Sequence, residues 1–199
     1  MGLNSTIRRL LITGTLSLIG GGWIGKAQTL NNDIIQGMSP DKKFGLQISC
    51  SSYPLDEKNI DPSVITAVKL VGLPAKTVVM NIPQNYSGGA PKLVWSPDSN
   101  WLALSASSGP RVSDTYVYRR SGTGFTELKT DDLQLPIEGD VKNEYVTPIR
   151  WLKSRVLLLE DAVIFRGGGD ATYRFSAVFD EKGDKFRITS KTKIGSKAE

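Results

Sequence analysis

The sequence of 199 residues has no histidine and only one cysteine, Cys50, which limits the chemistry that its side chains can perform. Without imidazole, Ser-His-Asp and Cys-His nucleophile systems and HExxH metal sites cannot be built. A single cysteine also cannot form a Cys/His structural zinc site within one chain. The sequence therefore offers no catalytic, cofactor-binding or metal-binding residue of these kinds, and it favours a protein that is not an enzyme.

Carboxylates are the remaining candidates for catalysis, and they occur as three adjacent pairs: Asp131-Asp132, Glu160-Asp161 and Asp180-Glu181. A carboxylate-dependent glycosidase needs two carboxyl groups about 5–10 Å apart in a cleft, one of them with a raised pKa. Adjacent residues on a strand point to opposite faces, so none of these pairs forms such a dyad by itself. We expect all three pairs to lie in solvated turns or at strand ends.

Two other features could contact a ligand or a partner. The loop Arg166–Asp170 contains three glycines, whose backbone can approach a ligand closely, although a loose hairpin tip is the simpler interpretation. Cys50 lies in a run of alternating apolar residues and is expected to be a buried small hydrophobe. An exposed thiol that pairs with another chain is the alternative.

The N-terminal residues 1–27 have the pattern of a secretory signal peptide. Arg8 and Arg9 precede an uncharged stretch, and the small residues Gly25 and Ala27 fit the −3 and −1 positions of a cut before Gln28. The apolar stretch of about 15 residues is short for a membrane span, which needs about 20. We expect a periplasmic or secreted protein without a membrane span after cleavage, with an uncleaved anchor as the alternative.

The net charge of +5 depends largely on this leader. Three of the 25 basic residues and none of the 20 acidic residues lie in residues 1–27, so the remaining 172 residues carry a net charge of +2. No stripe of lysine and arginine interleaved with aromatic residues is present. Nucleic acid is therefore not an expected partner.

The rest of the chain has the pattern of short β-strands. No segment after the leader keeps apolar residues at i, i+3, i+4 and i+7 over the length of a helix. Runs of β-branched and aromatic residues are instead bounded by turn residues such as Ser-Pro-Asp and Gly-Gly-Gly-Asp. The predicted strands are Phe44–Ser49, Ile65–Leu70, Lys76–Ile82, Leu93–Trp95, Trp101–Ser105, Thr115–Arg119, Gly124–Lys129, Ile149–Trp151, Val156–Leu159, Tyr173–Phe179 and Lys185–Ser190.

The strands recur in three units of about 56 residues. Ser39–Phe44 aligns with Ser96–Trp101 at an offset of 57, because each has Ser-Pro-Asp followed three residues later by an aromatic. Val94-Trp95 aligns with Arg150-Trp151 at an offset of 56, where the turn has lost Pro-Asp. Each unit carries two hairpins, which is four strands. We predict a single β domain over 28–199 with repeats at about 39–92, 93–148 and 149–199.

The segment Leu93–Ser105 resembles the WD40-like repeat found in TolB-type β-propellers, whose signature reads WSPDGKxLAFxS. Asn100 stands where that family usually has Gly or Lys. The resemblance is good in the second unit, partial in the first and weak in the third. It implies four-stranded blades, a bacterial source and a role as an interaction scaffold.

These observations predict an all-β fold of antiparallel four-stranded, blade-like sheets. Because three units are too few for a closed ring of six or more blades, we expect an open or partial propeller of about three blades. Its end sheets would be capped by Gln28–Met38, or two chains would close one ring as a homodimer. A β-sandwich is the alternative. Trp95, Trp101 and Trp151 are expected to pack in the core between sheets.

The sequence favours an exported, non-enzymatic binding or interaction protein of the bacterial envelope, with a protein or peptide as its partner. The alternatives are a carbohydrate-active hydrolase that uses carboxylates, with or without a calcium ion, and a structural component of the envelope. An enzyme should bring three or more acidic, Tyr or Arg side chains into one pocket, with a perturbed pKa among them. A binding protein should expose an apolar patch or a grooved sheet edge.

Overall fold

The computed structural model describes residues 32–195, which form twelve β-strands and two one-turn 3-10 helices. The strands are β1 (Asn32–Gln36), β2 (Phe44–Cys50), β3 (Ile65–Gly72), β4 (Thr77–Asn81), β5 (Lys92–Trp95), β6 (Trp101–Gly109), β7 (Val112–Ser121), β8 (Gly124–Leu128), β9 (Val141–Lys153), β10 (Val156–Phe165), β11 (Asp170–Asp180) and β12 (Lys185–Gly195). The 3-10 turns are Pro62–Val64 and Asp131–Leu133. Within 32–195 no helix has the length and apolar character to cross a bilayer. The all-β prediction is confirmed.

The strands follow one another as three four-stranded antiparallel meanders. Sheet 1 contains β1 to β4, sheet 2 contains β5 to β8, and sheet 3 contains β9 to β12. Sheets 2 and 3 also meet edge to edge, because Val112 and Ser113 of β7 pair in parallel with Glu144 and Tyr145 of β9. The predicted antiparallel, blade-like sheets are therefore present in the structure.

Strand β6 is buried on both faces, and it divides its side chains between two hydrophobic cores. Successive side chains of a strand point to opposite faces. Leu102 and Leu104 belong to a core shared with sheet 1, whereas Trp101 and Ala103 belong to a core shared with sheet 3. Sheet 2 is thus packed between sheets 1 and 3. This is a propeller-like stack of three blades, and each pair of sheets is also packed as in a sandwich.

The outer faces of the two end sheets carry paired polar side chains, beside a few exposed apolar ones such as Leu152 and Ile164 of sheet 3. On sheet 1, Asp33 accepts hydrogen bonds from Gln47 Nε2 and Ser49 Oγ, both at 2.6 Å. On sheet 3, Arg174 pairs with Glu160 at 2.9 Å, and Arg187 pairs with Asp180 at 2.9 Å. Such hydrogen-bonded and ion-paired side chains are suited to faces that meet solvent. The three sheets can therefore remain an open stack.

The two Ser-Pro-Asp turns have the same internal hydrogen bonds. In the first turn, Ser39 Oγ donates to Asp41 at 2.6 Å and accepts from the backbone N–H of Phe44 at 3.0 Å. In the second turn, Ser96 Oγ donates to Asp98 at 2.5 Å and accepts from the N–H of Trp101 at 2.9 Å. The repeat seen in the sequence is therefore a repeat of turn chemistry.

A repeated hydrogen bond also links each sheet to the one before it. Trp95 Nε1 donates to the carbonyl oxygen of Gly37 at 2.7 Å, and Trp151 Nε1 donates to that of Val94 at 3.3 Å. The donors are 56 residues apart and the acceptors 57, which matches the offset of the repeat. Trp101 and Trp151 are buried as predicted, whereas Trp95 is only partly buried. The indole N–H groups therefore join neighbouring sheets as well as filling the core.

Several strands are longer than predicted: β10, for example, continues to Phe165 instead of ending at Leu159, and β12 continues to Gly195 instead of Ser190. Two larger differences concern β1 and β9. Residues 32–36, expected to belong to a capping segment, form the edge strand β1 of sheet 1. Strand β9 begins at Val141 rather than Ile149, because its first half gains hydrogen bonds from β10 on one side and from β7 on the other. Such pairing overrides a weak local β propensity.

Cys50 ends β2, and its side chain is buried in the core between sheets 1 and 2. Burial and the charge of Asp33 raise the pKa of its thiol. A protonated, buried thiol behaves as a small apolar side chain.

Replacing Leu104 with Ala tests whether β6 holds the stack together. Leu104 is fully buried between sheets 1 and 2, so the substitution should lower the free energy of unfolding by about 2–5 kcal/mol. Denaturant titration followed by tryptophan fluorescence measures the change. Leu55→Ala is the matched control. Because Leu55 is fully exposed, this substitution should lower the free energy of unfolding by less than about 0.5 kcal/mol. Equal losses for both variants would contradict the packing described.

Candidate functional site

Asp161 is a buried carboxyl group in the middle of β10. Its neighbours on the same face, Leu159 and Val163, are buried apolar side chains that point away from solvent. Asp161 itself is 0% exposed, and neither of its carboxyl oxygens has a hydrogen-bond partner among the described residues. Burial, together with the charge of Glu144, raises the pKa of Asp161 to about 6, although the charge of Lys191 acts in the opposite direction. The folded protein therefore favours the protonated form of this group.

Glu144 and Asp114 extend the carboxyl group of Asp161 into a cluster, which we call the carboxyl cluster. Asp161 is in register with Val146 of β9, so Glu144 is its diagonal neighbour on the same face of sheet 3. Burial raises the pKa of Glu144, and the charge of Asp114 on β7 adds to the effect. The charge of a carboxylate on a neighbouring strand thus disfavours the ionisation of both Asp161 and Glu144.

A pocket of about 310 Å³ lies beside the carboxyl cluster, where β8 and β9 separate. β8 pairs with β7 from Val117 onward and β9 pairs with Val112 and Ser113, so the β7 residues between them border the opening. The pocket brings together Asp114, Tyr116 and Asp131, and burial and nearby carboxylates raise the pKa of Tyr116. Its lining residues are Asp114, Thr115, Tyr116, Thr130, Asp131, Leu133, Gln134 and Val146.

The three adjacent acidic pairs occupy different kinds of position in the fold. Asp131-Asp132 forms an exposed 3-10 turn, and Asp180-Glu181 lies where β11 ends, as expected for turns and strand ends. The expectation is wrong for Glu160-Asp161, which lies in the middle of β10. As expected for adjacent residues of a strand, the two point to opposite faces, and Glu160 pairs with Arg174 while Asp161 is buried.

The residue type of Asp161 argued against burial, although the pattern of the surrounding strand pointed to it. Leu157, Leu159 and Val163 lie two or four residues from Asp161 along the strand, and successive residues of a strand point to opposite faces. The period-2 pattern alone would therefore have placed Asp161 on the same buried face as these three apolar residues. An acidic residue at such a position is normally taken as a solvated strand end, because ionised side chains are seldom fully buried without a partner.

The loop Arg166–Asp170 is the tip of the hairpin between β10 and β11. Residues Arg166, Gly167 and Gly168 are exposed, and Arg166 pairs with Asp140 at 3.1 Å. Gly168 and Gly169 have φ values of 97° and 79°, which favour glycine. These observations agree with a hairpin tip, and they give no evidence for a ligand.

A second candidate site is a groove of about 440 Å³ between the outer strands of sheets 1 and 2, which we call the rim groove. β4 and the turn before it form one wall, and the start of β8 forms the other. Val78 on β4 is 52% exposed. The guanidinium group of Arg120 stacks over the ring of Phe44 at 4.8 Å. The lining residues are Lys43, Phe44, Gly72, Leu73, Thr77, Val78, Val79, Arg120, Thr123 and Gly124.

The two sites differ in the chemistry that they can perform. A catalytic carboxyl group must reach its substrate, but Asp161 has no exposed surface and does not line the pocket. In the described range, no three acidic or thiol side chains are arranged to hold a metal ion. The rim groove combines exposed apolar surface with cationic side chains, which suits binding rather than catalysis.

No protein-family model matches the sequence, and no curated protein matches it at a significant level. Among solved structures, the chain is similar to the crystal structure of TolB from Acinetobacter baumannii, with 18% sequence identity and a TM-score of 0.38. The similarity covers 78% of this chain and 32% of TolB, so the chain spans about a third of that protein's length. The relationship is distant.

Replacing Asp161 with Asn should stabilise the protein at neutral pH. The pKa of Asp161 is about 6 in the folded protein against an ordinary 3.8, so its favourable contribution is complete below about pH 4 and is lost as the pH rises through 6. The variant cannot ionise, and its free energy of unfolding at pH 7.5 should exceed that of the original chain by about 3 kcal/mol. The difference should disappear at pH 4. Urea titrations at both pH values measure it.

The control for this prediction is Asp132→Asn, an exposed acidic residue of the 131–133 turn, which should change stability little at either pH. A loss of stability for Asp161→Asn at pH 7.5 would contradict the prediction. That result would mean that ionised Asp161 forms a stabilising pair with Lys191.

Proposed function

We propose that this protein is an exported, non-enzymatic binding protein of the bacterial envelope, and that its partner is a protein or peptide. The observation that carries the proposal is the rim groove, which is an exposed, partly apolar opening between the outer strands of two neighbouring sheets. Its volume of about 440 Å³ lies in the range of about 300–1,000 Å³ that is usual for ligand pockets.

The groove has the composition of a binding surface. Phe44, Leu73 and Val78 supply apolar contact, while Lys43 and Arg120 supply positive charge. Apolar side chains edged by polar groups are typical of interaction sites. The groove is formed by elements of two rigid sheets, so a partner would bind a preformed surface and would order little of the protein.

A carboxylate-dependent hydrolase is the second candidate, because Asp114, Tyr116 and Asp131 meet in one pocket. The argument against a hydrolase is that a substrate cannot reach the carboxyl group of Asp161. The carboxyl group with the most clearly perturbed pKa, Asp161, is completely buried and does not line that pocket. A glycosidase needs its acid in contact with the glycosidic oxygen.

Two measurements on the purified protein separate binding from hydrolysis. Panning a random peptide library should enrich sequences with a shared pattern, which bind the original chain and bind Val78→Asp at least about tenfold more weakly. A panel of nitrophenyl glycosides should show no turnover. Turnover that is abolished by Asp114→Asn or Asp131→Asn would instead establish the hydrolase, and Asp132→Asn is the matched control for those variants.

Export is tested on the full chain produced in a bacterium. Residues 1–27 lie outside the described range, and their sequence predicts cleavage between Ala27 and Gln28. The intact mass of the protein released from the periplasm should match a chain that begins at Gln28. Ala27→Arg should block cleavage, because the −1 position requires a small residue, whereas Gln28→Arg should not. A full-length mass in the membrane fraction would favour the uncleaved anchor.

A further inference from the structure

The strands at the edges of the three sheets differ in how they are protected from pairing with another chain. An edge strand exposes unpaired N–H and C=O groups, and charged side chains on it discourage the addition of a further strand. Most edge strands in the described range follow this rule. Asp33 lies on β1, Lys92 on β5 and Glu127 on β8, while β12 carries Lys185, Arg187, Lys191 and Lys193.

Strand β4 does not follow the rule. Its sequence, Thr-Val-Val-Met-Asn, contains neither a charged residue nor a proline. It pairs with β3 on one side, and no further strand of the described chain pairs with it on the other. Val78 is 52% exposed and Thr77 and Asn81 are also exposed, so the strand is accessible. β4 is therefore an edge strand that another extended chain can reach.

The rim groove lies along this same edge. Thr77, Val78 and Val79 of β4 form part of its lining, so a chain added to β4 would have the groove beside it. A strand added to a sheet edge gains its affinity from backbone hydrogen bonds, and pockets for alternate side chains give it specificity. The unprotected edge and the adjacent groove are thus two parts of one possible binding site.

The charge of the groove indicates the chemistry of the added strand. Lys43 and Arg120 line the groove, and none of its lining residues is acidic. Arg120 already pairs with Asp41 at 3.2 Å, whereas no ion pair of Lys43 is found within residues 32–195. A carboxylate on the incoming chain would complement Lys43. A complementary charge at the edge of an interface favours the correct partner and excludes cationic ones.

We propose that the free edge of β4 is a strand-addition site for an extended acidic and apolar segment of a partner protein. The segment pairs with residues 77–81, places an apolar side chain in the rim groove and directs a carboxylate to Lys43. This inference rests on the proposed function and specifies which part of the molecule performs it. A second copy of the chain is a poorer occupant, because its own β4 has no acidic residue to meet Lys43.

Synthetic peptides and amide hydrogen exchange test the proposal on the full chain. The probe is a capped hexapeptide, Asp-Val-Thr-Val-Asp-Val, and the comparison peptide has Lys in place of both Asp residues. The acidic peptide should slow amide exchange in residues 77–81 and leave the β12 edge unchanged. The lysine peptide should bind at least about tenfold more weakly, because it brings like charge to Lys43.

Three variants of the protein locate the site. Val78→Lys places a charge on the exposed edge of β4 and should lower the affinity for the acidic peptide about tenfold. Lys43→Glu should lower the affinity for the acidic peptide and raise the affinity for the lysine peptide. Lys153→Glu is the matched control, because Lys153 is an exposed residue of sheet 3 and the net charge changes by the same amount. It should leave both affinities within about twofold.

Other results would overturn the inference. If the peptide slows amide exchange on β8 or β12 but not in residues 77–81, the binding site lies on another strand. The strand-addition site on β4 is then wrong, whereas the proposed binding function is not contradicted. Protection of residues 77–81 without peptide, together with a doubled mass in solution, would identify a second copy as the occupant. If neither peptide slows exchange anywhere, the strand-addition site fails, whereas the binding function fails only if panning also selects no peptide.

Discussion

The double burial of sheet 2 is the constraint on which the rest of the structure depends. Because residues 101–106 of β6 are buried on both faces, these alternating residues must fit two different cores, and Leu104 and Ala103 belong to the cores shared with different neighbouring sheets. The indole hydrogen bonds of Trp95 and Trp151 then fix how each sheet sits against the previous one. Sheets 1 and 3 need only one apolar face each, and their other faces carry hydrogen-bonded and ion-paired side chains.

This packing also explains where the charged groups of the candidate sites lie. The core between sheets 2 and 3 continues along β10 past Leu159, so the next residue on that face, Asp161, is buried although it is acidic. The protein accommodates the carboxyl group by favouring its protonated form rather than by pairing it fully. A carboxyl group that is completely buried in this way cannot contact a substrate in solution.

Besides the outer faces of the two end sheets, stacking leaves the rims of the sheets accessible. The outer strands β4 and β8 belong to different sheets, so they border the rim groove instead of pairing with each other. Four of the five edge strands in residues 32–195 carry charge, and β4 does not. The rim groove and the uncharged edge strand β4 therefore both lie at the edges of the sheets, where packing between sheets does not cover them.

Much of the fold could be predicted from the sequence, because it depends on local chemistry. The Ser-Pro-Asp turns, the alternation of apolar residues and the offset of 57 residues predicted antiparallel strands in three four-stranded units. The start of β9 could not be predicted, since its polar first half is held by backbone pairing with β7 and β10, which are distant in sequence. The carboxyl cluster could not be predicted either, because its three residues come from different strands and lie far apart in the sequence.

The sequence by itself determined the strands, the turns and the chemistry that the chain lacks, because composition and period-2 patterning are local properties. Only the tertiary structure decided that Asp161 is buried, that Asp114 and Glu144 join it from other strands, and that Lys43 and Val78 border one groove. These relations depend on register and on stacking between sheets. A one-residue shift in register would place the strand residues among them, such as Asp161 and Val78, on the opposite face.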